Sequence, residues 1–224
     1  MRVIVTPQAG MSVQAVRDSS LFKRWATGQT LDSPVRLVTI YRANIWKGVL
    51  YQLLCEAVTE NTDRPHLFVL RLPTVKVLAC ITDGYSRWVP FIEQDRVPTG
   101  HTVFGVLEGT QHEGETPEKT AHDEVYEELG LTGPFEIAFT ILHSTYAAPS
   151  STNDETSFVL ATIRVSEREL GPLVASLQGK STGIAANGEA LKVTVVPWHE
   201  ARGVYQRHPY RDGKTNQILN LVGL

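Results

Sequence analysis

Cysteine is scarce in this chain: two residues, Cys55 and Cys80, among 224. Both lie in apolar runs, YQLLCEAV and VLACIT. They read as reduced core thiols and exclude a disulfide framework. Long apolar runs are missing as well, and no stretch approaches the ~18 residues of a membrane-crossing helix. The opening MRVIVTPQAGMSVQAVRDSS lacks the apolar centre of a signal peptide. These absences lead us to expect a cytoplasmic protein without a membrane partner. No charge of one sign predominates either. The formal net charge is −3, from 21 basic and 24 acidic side chains. That excludes a broad nucleic-acid footprint and a polybasic membrane patch. The seven histidines show no metal-ligand spacing. A Gly-rich phosphate loop, a Ser-His-Asp constellation and internal repeats are all lacking.

What is present is an ordinary globular composition, 42% hydrophobic and 20% charged, long enough to bury a core without staples. Residues 1–34 are mixed and polar, with one short helix expected around SSLFKRWATG, ending at Gly28. From Val35 the texture turns to strand. VRLVTIYRA, GVLYQLLCEAV and HLFVLRL carry branched and aromatic residues. TVKVLACITDGYSRWVPFIEQ reads as a hairpin about Asp83-Gly84. Thr116-Pro117 starts a helix that Gly130 stops, which places it at Pro117–Leu129. EIAFTILHS, TSFVLATIRV and ALKVTVVPW read as strands, RELGPLVASLQG as a short helix, and the C-terminal stretch as one or two helices. Strands around a central helix, with more helix after them, predict a mixed α/β sandwich.

The helix at Pro117–Leu129 lies in the segment GTQHEGETPEKTAHDEVYEELGL. It holds Glu113, Glu115, Glu118, Asp123, Glu124, Glu127 and Glu128. At about 100° per residue, Glu124, Glu127 and Glu128 share one arc, while Ala121, Val125 and Leu129 form an adjacent apolar face. Carboxylates so close repel one another unless water or a cation intervenes. Two readings fit the helix alone: a solvated acidic face, or a site for a hard divalent cation with oxygen ligands.

The flanking pattern resembles the box that defines the Nudix hydrolases, Gly-x5-Glu-x7-Arg-Glu-U-x-Glu-Glu-x-Gly-U, where U is bulky and aliphatic. Gly109, Glu115, Glu124, Val125, Glu127, Glu128, Gly130 and Leu131 match eight of its nine specified positions. The ninth, an Arg that steadies the glutamates in that family, is Asp123 here. Beyond the box, Glu93-Gln94-Asp95-Arg96, AAPSSTNDE, GIAANGEALKVTVVPWHEA and DGKTNQILNL are similar to segments of the ADP-ribose pyrophosphatase and nucleoside diphosphate sugar diphosphatase branch.

That resemblance implies an α/β/α sandwich with a mixed sheet at residues 73–224. It also implies an N-terminal segment, 1–72, whose strands are exchanged in a homodimer. It implies Mg²⁺, with Mn²⁺ as the alternative, and hydrolysis of the diphosphate bond of ADP-ribose or another nucleoside diphosphate sugar. The implied metal ligands are Glu124, Glu127 and Glu128. Glu155 and Glu189 are the candidate general bases, Arg96 contacts substrate, and Glu115 supports the loop or holds a water beyond the metal's direct ligands. One further departure precedes Gly109. Gly105 stands where the branch has a Glu, and Glu108 stands where it has a small Ala, so Glu108 is expected to return the lost carboxylate to the metal. These departures leave two other readings open: a different specialised diphosphate as substrate, or a catalytically weakened domain that binds a nucleotide sugar.

Overall fold

A computed structural model describes residues 1–29, 34–46, 48–183 and 190–224. Its contacts divide the chain into two compact units. One is Met1–Pro73 together with Thr145–Thr156, and the other is Thr74–Ser144 together with Ser157–Leu224. Among the described residues, no helix is long and apolar enough to cross a membrane.

The first unit contains β1 (Arg2–Val5), α1 (Val13–Asp18), α2 (Ser20–Thr27), β2 (Val35–Trp46), β3 (Val49–Thr59) and β4 (His66–Arg71). The strands lie in the order β1-β2-β3-β4. β1 runs parallel to β2, and the pairs β2–β3 and β3–β4 are antiparallel. Ser12 and Ser19 cap the two helices, accepting the amides of Ala15 and Phe22. Val16, Leu21 and Phe22 then pack on Val38, Ile40, Leu53, Cys55 and Leu70. The helix expected to end at Gly28 is α2. The polar reading of residues 1–34 missed β1 and α1. Four residues of strand carry no period of their own and are defined only by the partner they pair with. Segment 145–156 joins this unit along β4. There Ser151 accepts the Val69 amide at 2.9 Å, and Asn153 Oδ1 accepts the Arg71 amide at 2.6 Å.

The second unit contains β5 (Thr74–Thr82), β6 (Arg87–Arg96), β7 (His101–Gly105), β8 (Leu107–Thr110), α3 (Pro117–Leu129), β9 (Glu136–Tyr146), β10 (Glu155–Arg164), α4 (Glu167–Leu177), β11 (Ser181–Thr182), β12 (Leu191–Pro197), α5 (Ala201–Arg207) and α6 (Gly213–Leu221). The ends of β9 and β10 that join each other through residues 147–154 belong to the first unit. The sheet order is β11-β12-β6-β5-β10-β9, with β7 on β6 and β8 on β5. This is the expected α/β architecture of sheets and helices.

β5 shows why helices cover both faces of the sheet. Side chains alternate across a strand, and this strand is buried along its whole length. Val75, Val77, Ala79 and Ile81 face α3 and α4. Leu78 faces α5 and α6 together with Phe91, Phe104 and Phe158. Each of the larger side chains among these contributes roughly 1.5–3 kcal/mol through burial. The β5–β6 hairpin forms at Asp83-Gly84, but with four loop residues, since Thr82 pairs with Arg87. Asp83 Oδ1 accepts the amides of Tyr85 and Ser86 at 2.9 and 2.7 Å. Gly84 supplies φ 96°. An Asx-type turn thus replaces the tight two-residue one.

Burial pushes the Cys55 thiol up to about 12 and the Cys80 thiol up to about 11. Neither forms appreciable thiolate at pH 8, and the thiolate is the reactive species. The native chain is therefore expected to resist a water-soluble thiol reagent at pH 8, while the urea-unfolded chain reacts at both cysteines. Rapid labelling of the native chain would contradict the buried placement.

Candidate functional site

The helix that carries the acidic segment is fixed at both ends by its own sequence. At the N-terminus Thr116 Oγ1 accepts the Lys119 amide at 3.2 Å, and Pro117 occupies the first turn. At the C-terminus Gly130 takes φ 57°, and its amide and that of Leu131 close back on Glu127 and Tyr126. This is a left-handed cap of the kind glycine favours. Thr182 Oγ1 donates to the Glu128 carbonyl, and Lys180 Nζ donates to that of Gly130 at 2.7 Å. A cation at a helix C-terminus also complements the helix dipole. Ala121, Val125 and Leu129 are fully buried against β5.

With that face anchored, the carboxylates are graded by depth. Glu127 is exposed, Glu124 is half-buried, and Glu128 is buried at 6% exposure. Glu128 Oε2 accepts the Glu108 amide at 3.1 Å. Burial raises the Glu128 carboxyl well above the usual range, and the neighbouring Glu124 charge raises it further. Gly109 is required here. A Cβ on it would overlap the Glu124 carboxyl group, so the glycine makes room for the side chain that lies over it. Glu115 ties the loop before the helix: its Oε2 accepts the His112 amide at 2.9 Å and the Thr120 hydroxyl at 3.1 Å. Asp123, at the position of the missing Arg, pairs with Lys119 one turn earlier and with His122. Burial raises its carboxyl, and the hydrogen bonds from these two residues more than reverse that, holding it below its ordinary value. Lys119 therefore absorbs the extra charge.

Beside this pair is an ion cluster that sequence reasoning missed. Lys76 of β5 is 2% exposed. Its ammonium lies 2.6 Å from Asp212 Oδ2 and 3.1 Å from Glu108 Oε2. Arg96 donates to the same Glu108 oxygen at 2.8 Å. Burial alone would lower the Lys76 ammonium, but the two carboxylates outweigh it and hold it above the ordinary lysine value. Burial would raise Glu108 and Asp212, and Lys76 draws both below the carboxylate range. All three therefore stay charged. Asp212 also caps α6, accepting the Lys214 amide, and it takes the Thr215 hydroxyl at 3.0 Å. Thr215 in turn accepts the Val106 amide at 3.0 Å. A Cβ on Gly105 would come within 2.9 Å of Thr215 Oγ1 and 3.1 Å of Asp212 Cβ. Gly105, where the resembled branch has a Glu, is thus glycine because α6 begins against it.

A cavity of about 260 Å³ opens here, lined by Lys76, Gln94, Arg96, Gly105, Glu108, Arg211 and Asp212 among others. It sets three cations against two carboxylates, so it suits an anionic group bound through guanidinium forks. The one readable signal for Lys76 was a lone lysine inside an otherwise apolar strand. Asp212 had only the Asp-Gly start of a helix.

The predicted residues fare differently. Glu124 and Glu128 come together, with the Glu108 backbone against Glu128. The Glu108 carboxylate, expected at a metal, is engaged by Lys76 and Arg96. Glu155 lies in the first unit, paired with Arg24 at 2.6 Å. Glu189 lies outside the described residues. Among the described residues, no three His, Cys, Asp or Glu side chains gather closely enough to enclose a metal ion. Two crowded carboxylates suit a hard cation, which takes a few carboxylates and keeps waters for a substrate phosphate.

No protein-family profile matches the chain. A curated relative does: "Nudix hydrolase 14, chloroplastic" of Arabidopsis thaliana is 27% identical over 88% of this chain and 71% of its own length. With the box pattern and the α/β fold, that similarity supports the Nudix superfamily.

Two substitutions probe this geometry. Gly109→Ala is expected to displace Glu124 and weaken divalent-cation binding by about tenfold or more, the range for disturbing the support of a ligand. Calorimetric titration with Mg²⁺ would read this, and unchanged affinity would show that Glu124 takes no part. Lys76→Met leaves Glu108 and Asp212, both partly exposed, facing each other without the ammonium between them. Urea denaturation is expected to show a loss of about 1–3 kcal/mol; no measurable loss would mean the cluster is solvated.

Proposed function

We propose that the chain is a divalent-metal-dependent Nudix hydrolase that cleaves the diphosphate bond of ADP-ribose or another nucleoside diphosphate sugar, giving a nucleoside monophosphate and a sugar phosphate. The observation that carries this reading is the Glu124–Glu128 pair, packed over Gly109 and joined through Glu108 to a cavity walled by Lys76, Arg96 and Arg211. A bound cation would neutralise charge on the nonbridging phosphate oxygens. Glu124 and Glu128 would hold it, with the exposed Glu127 beside them. Glu108 could join them only by releasing Lys76 and Arg96. Arg96 and Arg211 bind and orient the diphosphate, and positioning is most of what such a reaction demands of a protein. A carboxylate must also take a proton from the attacking water. Glu155 and Glu189 are the candidates, and Glu155 has to leave Arg24 to serve. Mg²⁺ as the preferred ion, a homodimer with exchanged N-terminal strands and a cytoplasmic location belong to the same reading.

A second reading keeps the chemistry and changes the group beyond the diphosphate. Gly105 favours it. The side chains of Asp212 and Thr215 fill the space a residue there would use, which gives this cavity a wall of its own.

The test is a hydrolysis panel at saturating Mg²⁺ with ADP-ribose, ADP-glucose, UDP-glucose, GDP-mannose and NADH. The expected outcome is turnover of one of them. Glu128→Gln should lower that rate by about 100-fold or more, at least the upper range for disturbing a metal's outer ligands. Turnover that survives this substitution would remove the acidic pair from the mechanism. Binding of a nucleotide sugar without turnover would recast the chain as a catalytically weakened binder.

A further inference from the structure

The cavity at Lys76 lies where the sheet parts. β12 pairs with one edge of β6 from Trp88 to Gln94. On the other edge β5 pairs only near the hairpin, Ile81 and Thr82 with Trp88 and Arg87. β7 then takes its place on β6, and the first half of β5 is paired with β8 instead. The cavity of about 260 Å³ opens between these two wings, and Arg211 and Asp212, at the start of α6, complete its wall. Val75 and Val77 pack on Ala121 and Val125 of α3, so the Lys76 side chain between them leaves β5 from the opposite face. Glu108 is its cross-strand partner and leaves β8 from that face too. The charged floor of the cavity is thus turned away from the acidic helix. Three cations line it against two carboxylates, so one positive charge is left over. Lys76 is neutralised by Glu108 and Asp212. Arg96 uses one amino group on Glu108. Arg211 is exposed and makes no ion pair among the described residues; its Nη1 donates to the Gln206 carbonyl at 2.7 Å. Two guanidinium forks at one opening suit a phosphate. The volume is below the roughly 300–1,000 Å³ of small-molecule sites, so it takes a phosphate group and the first atoms bonded to it rather than a whole nucleotide.

On the hydrolase reading, cleavage changes the phosphate that Arg96 and Arg211 hold. Water adds its oxygen to one phosphorus, the bridging oxygen leaves with the other, and up to two protons are released. Each singly charged phosphate of the diphosphate becomes a monoester of about −1.5 to −2 near pH 7. A site with surplus positive charge holds the more negative group more tightly. We propose that this cavity is a metal-independent subsite for a phosphate monoester, one of the two products of diphosphate cleavage, gripped by Arg96 and Arg211. The source of the ligand rests on the hydrolase reading; the affinity of the site for a monoester does not.

Calorimetric titration of the metal-free full chain with methyl phosphate tests this. Dimethyl phosphate is the control, since its second ester bond removes a negative charge, and neither compound holds a diphosphate bond to cleave. We expect saturable binding of methyl phosphate, and binding of dimethyl phosphate weaker by about tenfold or more, the range for a lost hydrogen bond to a charged group. Arg211→Gln, a change at an exposed position, should weaken methyl phosphate by about tenfold for the same reason. Ribose 5-phosphate and AMP represent the two kinds of monoester that the reaction yields. Binding of either supports the product assignment, and the tighter of the two names its source. Absence of saturable methyl phosphate binding overturns the proposal, as does equal affinity for the two methyl esters or undiminished affinity in Arg211→Gln. Binding that appears only after Mg²⁺ is added would also overturn it, by moving the anion to the acidic helix. If methyl phosphate binds and neither larger monoester does, the product assignment is overturned. The titration needs neither metal nor substrate, so it and the hydrolysis panel can fail separately.

Discussion

The ion cluster at Lys76 is the constraint on which the second unit depends. β5 is covered on both faces, so an ammonium there must find counter-charges inside the protein. Asp212 comes from the start of α6 and Glu108 from β8, and the three charges join elements far apart in the chain. Lys76 is buried while the two carboxylates are partly exposed, so losing either carboxylate leaves a buried ammonium less well neutralised. Two consequences follow for the neighbouring acidic site. The Glu108 backbone is held where its amide meets Glu128. The start of α6 is held against Gly105, which excludes a side chain there.

The acidic segment is then best understood as unequal shares of one problem. Glu115 is used within its loop, Asp123 is neutralised by Lys119, and Glu127 faces solvent. Glu124 and Glu128 lie close together, and burial and the Glu124 charge raise the Glu128 carboxyl. The cationic cluster next door engages Glu108 and Asp212. A divalent cation beside the pair would agree with the similarity to a Nudix hydrolase.

The first unit solves its packing separately. Two serine-capped helices cover a four-stranded sheet around Leu21, Phe22, Ile40 and Leu53, and segment 145–156 lengthens the edge at β4. That return brings Glu155 to Arg24, a pairing 131 residues apart in sequence.

What could be read from the sequence was whatever local rules determine. The bounds of α3 followed from Thr116, Pro117 and Gly130, whose capping chemistry operates within one turn. The apolar alternation located most of the strands, and the spacing from Gly109 to Leu131 located the acidic helix and its carboxylates. The tertiary structure alone decided which of those carboxylates meet, and what opposes them. Lys76, Glu108 and Asp212 lie up to 136 residues apart (212 − 76). Nothing local marks them as partners, since ion pairing depends on distance in space. The same holds for Gly105 and Gly109. Each is a glycine because of a side chain delivered by another element, and only the folded chain brings that side chain near.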